Sequence, residues 1–502
     1  MISNGCYDQY DKRLIRHRII RSAVDSLTIY REKATCVSRN YVRDISDYYT
    51  QNKDFSKNKE EAEKIEKAYI TNWENLHDVY TGKKNVKDLV VCYLCGPDPN
   101  NDFQEFIDLG ILPQNIWAFE SNTSTYNQAV GGYSGGEFPQ PRILKQNIET
   151  FFKFTPKKFD IVYIDACGSV PSAQHALRTI TSLCLYSRLN SPGVIITNFS
   201  SPDDENEQDQ LQEWTKLIAK YLYFKKYPEE QIQVVDFEIK NRNYEIIEKE
   251  IHENFKLFYG EFISSLLRDI PSVIVPIQRI FENPYFNHFM EDKDSSLYGK
   301  LIELARGNSL ARYFFYITQL KDHNKATQMM NVLLGELGDL KKIIYGFEWM
   351  VNLRTGNNLM REDIKDIYQY FEDSKNIYQF LDKPHSNLIF DAVINQLIYP
   401  MHFNPDVNER YLYKAKTREM FTDISVYDEC RYIYEWLPAM HQLKSAFENL
   451  SWQYVFRFAL DGLIKTRTSY NNEFFYQGAV VQHEDGTFAK GRVPDRIYID
   501  DM

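Results

Sequence analysis

Asp88-Leu-Val-Val-Cys-Tyr-Leu-Cys-Gly-Pro-Asp-Pro-Asn-Asn-Asp102, read together with Asn115-Ile-Trp-Ala-Phe-Glu120, decides how this chain is divided. An apolar run stops at a Gly/Pro/Asp/Asn turn, amphipathic sequence follows, and a second apolar run ends in an acid. A run that is apolar on both faces suits a parallel strand covered by helices. The turn and the helix after it suit the opening of a nucleotide-binding α/β unit.

The alternation continues outward from that stretch. Strands are expected at Leu89–Leu94, Ile116–Phe119, Ile143–Lys145, Phe159–Ile164 and Gly193–Thr197. Helices are expected between them at Asp102–Leu109, Thr123–Val130, Ile148–Phe154 and Pro171–Tyr186. Such a repeat implies a parallel sheet with right-handed crossovers. Long helices follow at about Asp203–Tyr227 and Asn243–Asp269, and Ile232–Phe237 with Ser272–Ile277 reads as a late antiparallel pair at the sheet edge. After Phe281 apolar residues recur at three- and four-residue spacing near 296–322, 324–353, 361–381, 386–399 and 424–465. Glu484-Asp-Gly-Thr487 reads as a hairpin turn.

The expected fold class is therefore α/β. It is a Rossmann-like, doubly wound, mostly parallel sheet over residues 88–280, with a helical N-terminal extension over 1–87 and a mainly α-helical domain over 281–502. A chain of 502 residues exceeds what one core usually supports, which agrees with more than one domain.

Composition narrows the function classes. Net charge of −11 argues against a chain coated in basic surface for nucleic acid. No stretch is long and apolar enough to span a membrane, and Met1-Ile-Ser-Asn-Gly-Cys-Tyr-Asp8 lacks the apolar region of a secretory signal. The cysteines, at 6, 36, 92, 95, 167, 184 and 430, are scattered and odd in number, so reduced thiols and a cytoplasmic location are expected. Cys92 and Cys95 lie inside one strand, where residues three apart point to opposite faces, and no second such pair completes a zinc site. No metal site is expected. Aromatics make up 15% of the chain, with 36 Tyr and 32 Phe, and tyrosine-rich packing accounts for them.

Residues 12–43 are the one clearly cationic segment. Lys12-Arg-Leu-Ile-Arg-His-Arg-Ile-Ile-Arg21 sets Ile15, Ile19 and Ile20 at helical spacing with cations between them, and Arg31, Lys33, Arg39 and Arg43 continue the charge. This reads as a helix seated by its isoleucines with a solvated basic face. The sharper reading makes it, or the helical C-terminal region, a docking surface for a protein or nucleic-acid partner.

Ligands of open α/β sheets bind at the carboxyl ends of the strands. The residues expected there are Cys95, Gly96, Pro97 and Asp98, then Glu120, then Gln146 and Asn147, then Asp165-Ala-Cys-Gly168, and finally Asn198. Gly96 lets backbone approach a ligand with no Cβ in the way. Glu120 is placed to accept both hydroxyls of a ribose, and the Asn147 amide to pair with an adenine edge. The absence of G-x-G-x-x-G speaks against a dinucleotide enzyme.

At these residues, over about 86–200, the chain resembles the class I S-adenosylmethionine-dependent methyltransferases. In that family a glycine-bearing loop follows strand one, an acid ends strand two and a polar residue follows strand three; Phe159-Asp-Ile-Val-Tyr-Ile-Asp165 looks like its fourth strand. The resemblance implies S-adenosylmethionine as cofactor. It implies cofactor contacts from Cys95, Gly96, Pro97, Asp98, Glu120, Asn147, Ile148 and Asp165, with Asp165 as the catalytic residue, and an acceptor of macromolecular type. The first loop carries one glycine where the family usually has two or three. The alternative is therefore an inactive scaffold of this type that binds a partner.

Overall fold

A computed structural model describes residues 10–51, 57–133, 142–166, 168–170, 174–202, 208–226, 246–282, 400–415, 418–436, 449–466 and 493–499. The expected strand at Ile232–Phe237, the expected helices between 296 and 399 and the hairpin at Glu484–Thr487 lie outside them.

The N-terminal helices used below are α1 (Tyr10–Leu27), α2 (Tyr41–Gln51) and α3 (Lys67–Thr81). Then the alternation sets in: β1 (Val91–Leu94), α4 (Asn100–Asp108), β2 (Ile116–Phe119), α5 (Thr123–Tyr133), β3 (Arg142–Leu144), α6 (Ile148–Phe154), β4 (Phe159–Asp165), α7 (Gln174–Leu185) and β5 (Leu189–Ser200). Helices α8 (Gln208–Lys226), α9 (Phe255–Asp269) and α10 (Val275–Glu282) follow. The described C-terminal part supplies β6 (His402–Phe403), β7 (Glu409–Ala415), β8 (Arg418–Asp428), α11 (Leu450–Thr466) and β9 (Ile497–Ile499).

The strands form one mixed, mostly parallel sheet of order β3-β2-β1-β4-β5-β8-β7-β9, with β6 beside β8. The first five are parallel, in registers such as Cys92↔Trp117 and Tyr163↔Ile196. β8 then runs antiparallel to β5, from Gly193↔Tyr427 to Ser200↔Met420, and β7 antiparallel to β8. The class is α/β, as the sequence implies.

Alternation along the strands feeds two cores. Val91, Tyr93, Ile161, Tyr163, Val194 and Ile196 join the side covered by α1, α4 and α5. Cys92, Val162, Ile164, Ile195 and Phe199 join the side covered by α2, α3, α6–α9 and α11. Cys92 and Cys95 therefore sit in different cores, both buried and unpaired, as expected of structural thiols. The tyrosines pack as expected. Tyr93, Tyr221, Tyr259, Tyr411, Tyr427 and Tyr432 are among the largest fully buried side chains. Each phenol donates to an acceptor: Pro99 O, Asp269, Ser200 O, Glu409, Leu267 O and Asp428 in that order. Full burial of such a ring contributes about 2–3 kcal/mol only while its hydroxyl stays bonded.

Two expectations change. Ser272–Ile277 is helical, not a strand: a wide π turn over Ile270–Ile274 runs into α10. Pro271 and Pro276 remove two backbone donors from this stretch, and the helix widens there. The antiparallel closure comes instead from β7 and β8, so the sheet does not end near residue 280, and 424–428, the start of the helix expected over 424–465, is extended as the end of β8. In β8 both faces are covered, and Thr422, Asp423 and Ser425 are buried among the apolar residues. Thr422 Oγ1 donates to Asn198 Oδ1 at 2.8 Å, and Asp423 pairs with Arg496 at 2.7 Å. These partners make a polar strand tolerable in the sheet centre. Among the described residues no helix is long and apolar enough to cross a membrane.

A candidate ligand cleft at the strand ends

The carboxyl ends of β1, β2 and β4, with the turn after β3, surround a cleft of about 320 Å³. Its walls include Cys95, Gly96 and Asp98 after β1, Glu120 and Ser121 after β2, Gln146–Glu149 after β3, and Asp165 at the end of β4. Seven of the eight residues expected at a cofactor thus meet in one place. Pro97 belongs to the same turn but does not line the cleft. The volume is at the small end of the range of roughly 300–1,000 Å³ usual for ligand pockets.

The β1 turn is built by Gly96, whose φ of 57° is left-handed backbone that a Cβ would strain. Cys95 N donates to Phe119 O at 3.1 Å, extending the ladder one residue beyond β1. Burial pushes the Cys95 thiol up to about 12, with Glu120 and Asp102 adding to the effect, so it is a neutral wall group rather than a nucleophile.

Glu120 is oriented by the helix that follows it. Its Oε1 accepts from Asn122 N at 2.7 Å, while Asn122 Oδ1 accepts from Ser124 N at 2.9 Å to start α5. Asn147 caps α6, its Oδ1 accepting from Thr150 N at 3.2 Å. The cap uses the acceptor of this amide and leaves its NH₂ group to meet a ligand. Ile148 beside it is buried.

Asp165 is more engaged than the sequence suggested. It accepts from Asn198 Nδ2 at 2.9 Å and pairs with Lys12 Nζ at 3.0 Å, with its side chain 12% exposed. Asn198 in turn contacts Tyr413 and Thr422, so the end of β4 is tied to β7 and β8. A carboxylate so held orients its neighbours.

The floor comes from α1. Lys12 and Arg16, one helical turn apart, fall on its buried side with Ile15, Ile19 and Ala23. Arg16 Nε lies 2.7 Å from Asp102 in the first turn of α4, and the two side chains are 5% and 9% exposed. Burial raises the Asp102 carboxyl to about 6, with Asp165 nearby adding to the rise and Arg16 and Lys12 opposing it. Burial works against the Arg16 guanidinium, but Asp102, Tyr163 and Asp165 hold its pKa above the ordinary value. The basic segment thus turns part of its charge inward. Arg18 lies over the Tyr411 ring at 5.0 Å, and Arg21 is exposed.

Arg16, Asn101, Asp102, His175 and Thr179 line the cleft as well, and the strand-end rule does not reach them. For Arg16 a signal existed: two cations four residues apart interrupt an apolar stripe, which demands buried counter-charges. Burial lowers the His175 pKa, helped by Arg178, so this imidazole is neutral at pH 7.

Five carboxylates line the cleft: Asp98, Asp102, Glu120, Glu149 and Asp165. Asp165 faces Lys12, Asp102 faces Arg16, and Glu149 faces Arg178 at 3.1 Å. Asp98 and Glu120 have no cationic partner among the described residues, so the cleft keeps a negative excess. A second cluster, Cys36, Asp428 and Cys430, is buried away from it. Asp428 there accepts from Cys36 N, Cys430 N, Ser191 Oγ and Tyr432 Oη, which fills both oxygens. This cluster ties the segment around Cys36 to the end of β8. No protein-family model matches the chain, and no curated protein matches it.

Proposed function

We propose that the chain is an S-adenosylmethionine-dependent methyltransferase built on a Rossmann-like, doubly wound sheet. The observation that carries this reading is the charge of the cleft. Its uncompensated carboxylates, Asp98 and Glu120, follow β1 and β2, where a nucleoside is held in open α/β sheets. A phosphate 4 Å from either would be opposed by about 4 kcal/mol per unit charge at an effective dielectric of about 20. A sulfonium, an ammonium or a ribose diol would be attracted. This favours a nucleoside that carries positive charge over a nucleotide or dinucleotide.

On this reading Glu120 accepts the ribose hydroxyls, and the Asn147 NH₂ and the Ile148 side chain meet the adenine. Gly96 lets the β1 turn lie close against the ligand. The sulfonium, when bound, supplies an already activated methyl group, so the protein's contribution is alignment and exclusion of water. Asp165, fixed by Lys12 and Asn198, orients the polar end of the cleft.

Isothermal titration with S-adenosylmethionine, ATP and NAD tests the proposal. S-adenosylmethionine should give saturable heat and the two phosphate ligands none, and Glu120→Ala should weaken binding at least about tenfold, as loss of a charged hydrogen-bond acceptor does. A wild-type protein silent toward S-adenosylmethionine overturns the reading and leaves the non-catalytic scaffold.

A further inference from the structure

We infer that Cys36 and Cys430 are a redox pair that closes to a disulfide under a peroxide and latches the N-terminal segment to the end of β8. The pair is independent of what the strand-end cleft binds. The two residues are far apart in sequence but belong to one core, where both are fully buried and reduced. Their sulfurs and a carboxylate oxygen of Asp428 all lie within 4.8 Å of one another.

One carboxylate sets up the approach. Cys36 N donates to Asp428 Oδ2 and Cys430 N to Asp428 Oδ1, each at 2.9 Å, so both backbones are pinned on the same group. Tyr432 Oη donates to Asp428 and accepts from Val37 N at 3.1 Å, which fixes the residue after Cys36 as well. Cys430 takes φ 48° and ψ 40°, left-handed backbone that a residue with a Cβ rarely adopts. A conformation of that kind persists where the surroundings over-determine it, and the side chain held by it is a thiol close to a second thiol. Cys36 lies on the connection that leads into α2, and Cys430 follows β8; neither is inside a helix or strand. Each can shift to bring the sulfurs to the bonding distance of about 2.05 Å without breaking an element.

The chemistry favours a disulfide over a bound metal. Four donors already fill both oxygens of Asp428, so the carboxylate is not open to join an ion. Burial, the neighbouring Cys36 and the Asp428 charge all raise the Cys430 thiol above its ordinary range, which disfavours a thiolate ligand. A disulfide puts no charge in the core. In the step, each thiol loses its proton and the pair gives two electrons to the peroxide; the O–O bond breaks, the S–S bond forms and two waters leave. Neutral, buried thiols react slowly, so the pair is a durable latch rather than a fast sensor.

The test treats the full chain with hydrogen peroxide, blocks the remaining thiols, digests without reductant and maps linked peptides by mass spectrometry. The peptide bearing Cys36 should be joined to the one bearing Cys430 with the loss of two hydrogens, and dithiothreitol should separate them. The oxidised chain should unfold at a urea midpoint about 0.5–1 M above that of the reduced chain, because a cross-link across so long a loop restricts the unfolded state. Cys36→Ser and Cys430→Ser should each abolish that difference. Every variant is compared with itself in two redox states, so a lower baseline stability does not disturb the reading; where a variant fails to fold, the wild-type peptide map and midpoint decide. Recovery of both residues as thiols or as separate sulfinic acids overturns the inference, as does linkage only between two copies. A linked pair with an unchanged midpoint removes the latch. Stoichiometric Cd²⁺ binding by the reduced chain, lost in Cys36→Ser, also overturns it, since the cluster would then be a metal site.

Discussion

Asp102→Asn should change stability in a direction that depends on pH, and the sign distinguishes two accounts of the Arg16–Asp102 pair. A buried pair is often taken to be worth its Coulomb attraction, and breaking one commonly costs about 3–5 kcal/mol. The Asp102 carboxyl says otherwise: burial lifts it from its ordinary 3.8 to about 6 despite Arg16 at 2.7 Å. A folded-state pKa above the unfolded value means that the group's contribution is complete below pH 4 and is lost as pH rises through 6. The rise from 3.8 to about 6 corresponds to about 3 kcal/mol. Asparagine keeps the shape and cannot ionise. Wild-type stability minus that of Asp102→Asn should therefore fall by about 3 kcal/mol between pH 4 and pH 7.5, so the variant gains on the wild type as the solution becomes neutral. Equilibrium urea unfolding followed by tryptophan fluorescence, repeated across this range, measures the difference at each pH. A difference that grows with pH would refute the reasoning, because it would place the folded carboxyl below its ordinary value with Arg16 as a net stabiliser.

Three other outcomes are expected. Gly96→Ala, at φ 57°, should cost about 1–2 kcal/mol in urea unfolding and weaken cleft binding as well; unchanged stability would mean the turn adopts another path. Asp160, fully buried at the amino end of β4, accepts from Val90 N at 2.7 Å and Asn190 Nδ2 at 2.8 Å and pairs with Lys84. Asp160→Ala should cost about 3–5 kcal/mol while leaving ligand affinity within twofold, since it lies at the other end of the strand from the cleft; a selective loss of affinity would contradict that separation. Cys92 and Cys95, both buried and with thiols held well above their ordinary range by burial, should resist alkylation by iodoacetamide at pH 8 and label only on denaturation, read by mass spectrometry; fast native labelling would contradict the burial of Cys92 inside the sheet or of Cys95 in the cleft wall.

What the sequence made legible follows from how each element announces itself. β1, β2 and β4 are short apolar runs closed by Gly96, Glu120 and Asp165, and both their position and their convergence on one cleft could be read without a structure. β8 was not legible. Arg418-Glu-Met-Phe-Thr-Asp-Ile-Ser-Val-Tyr-Asp428 mixes acids and hydroxyls with apolar residues, and each polar group is tolerated through partners distant in sequence, such as Asn198 and Arg496. Local pattern carries no trace of them. Arg16 was missed for a related reason: its cationic neighbours in sequence suggested solvent, while its counter-charge Asp102 arrives from a different segment. The Asn147 cap shows the converse, a residue whose local role was available from its place before Thr150 and whose ligand role rests on the cleft.

The placement of β8 beside β5 has a consequence for how the chain comes off the ribosome. From Ser200 to Asp428 is 228 residues, and at about 5–20 residues per second their synthesis occupies roughly 10–50 s. Throughout that interval the outer edge of β5, twelve residues long, awaits its native hydrogen-bonding partner. An open edge of that length is a template for pairing with any other extended chain. A nascent chain halted before Arg418 carries this edge permanently, so truncation products should be recovered chiefly in the insoluble fraction, and the complete chain should depend on holding factors more than its α/β layout alone would suggest.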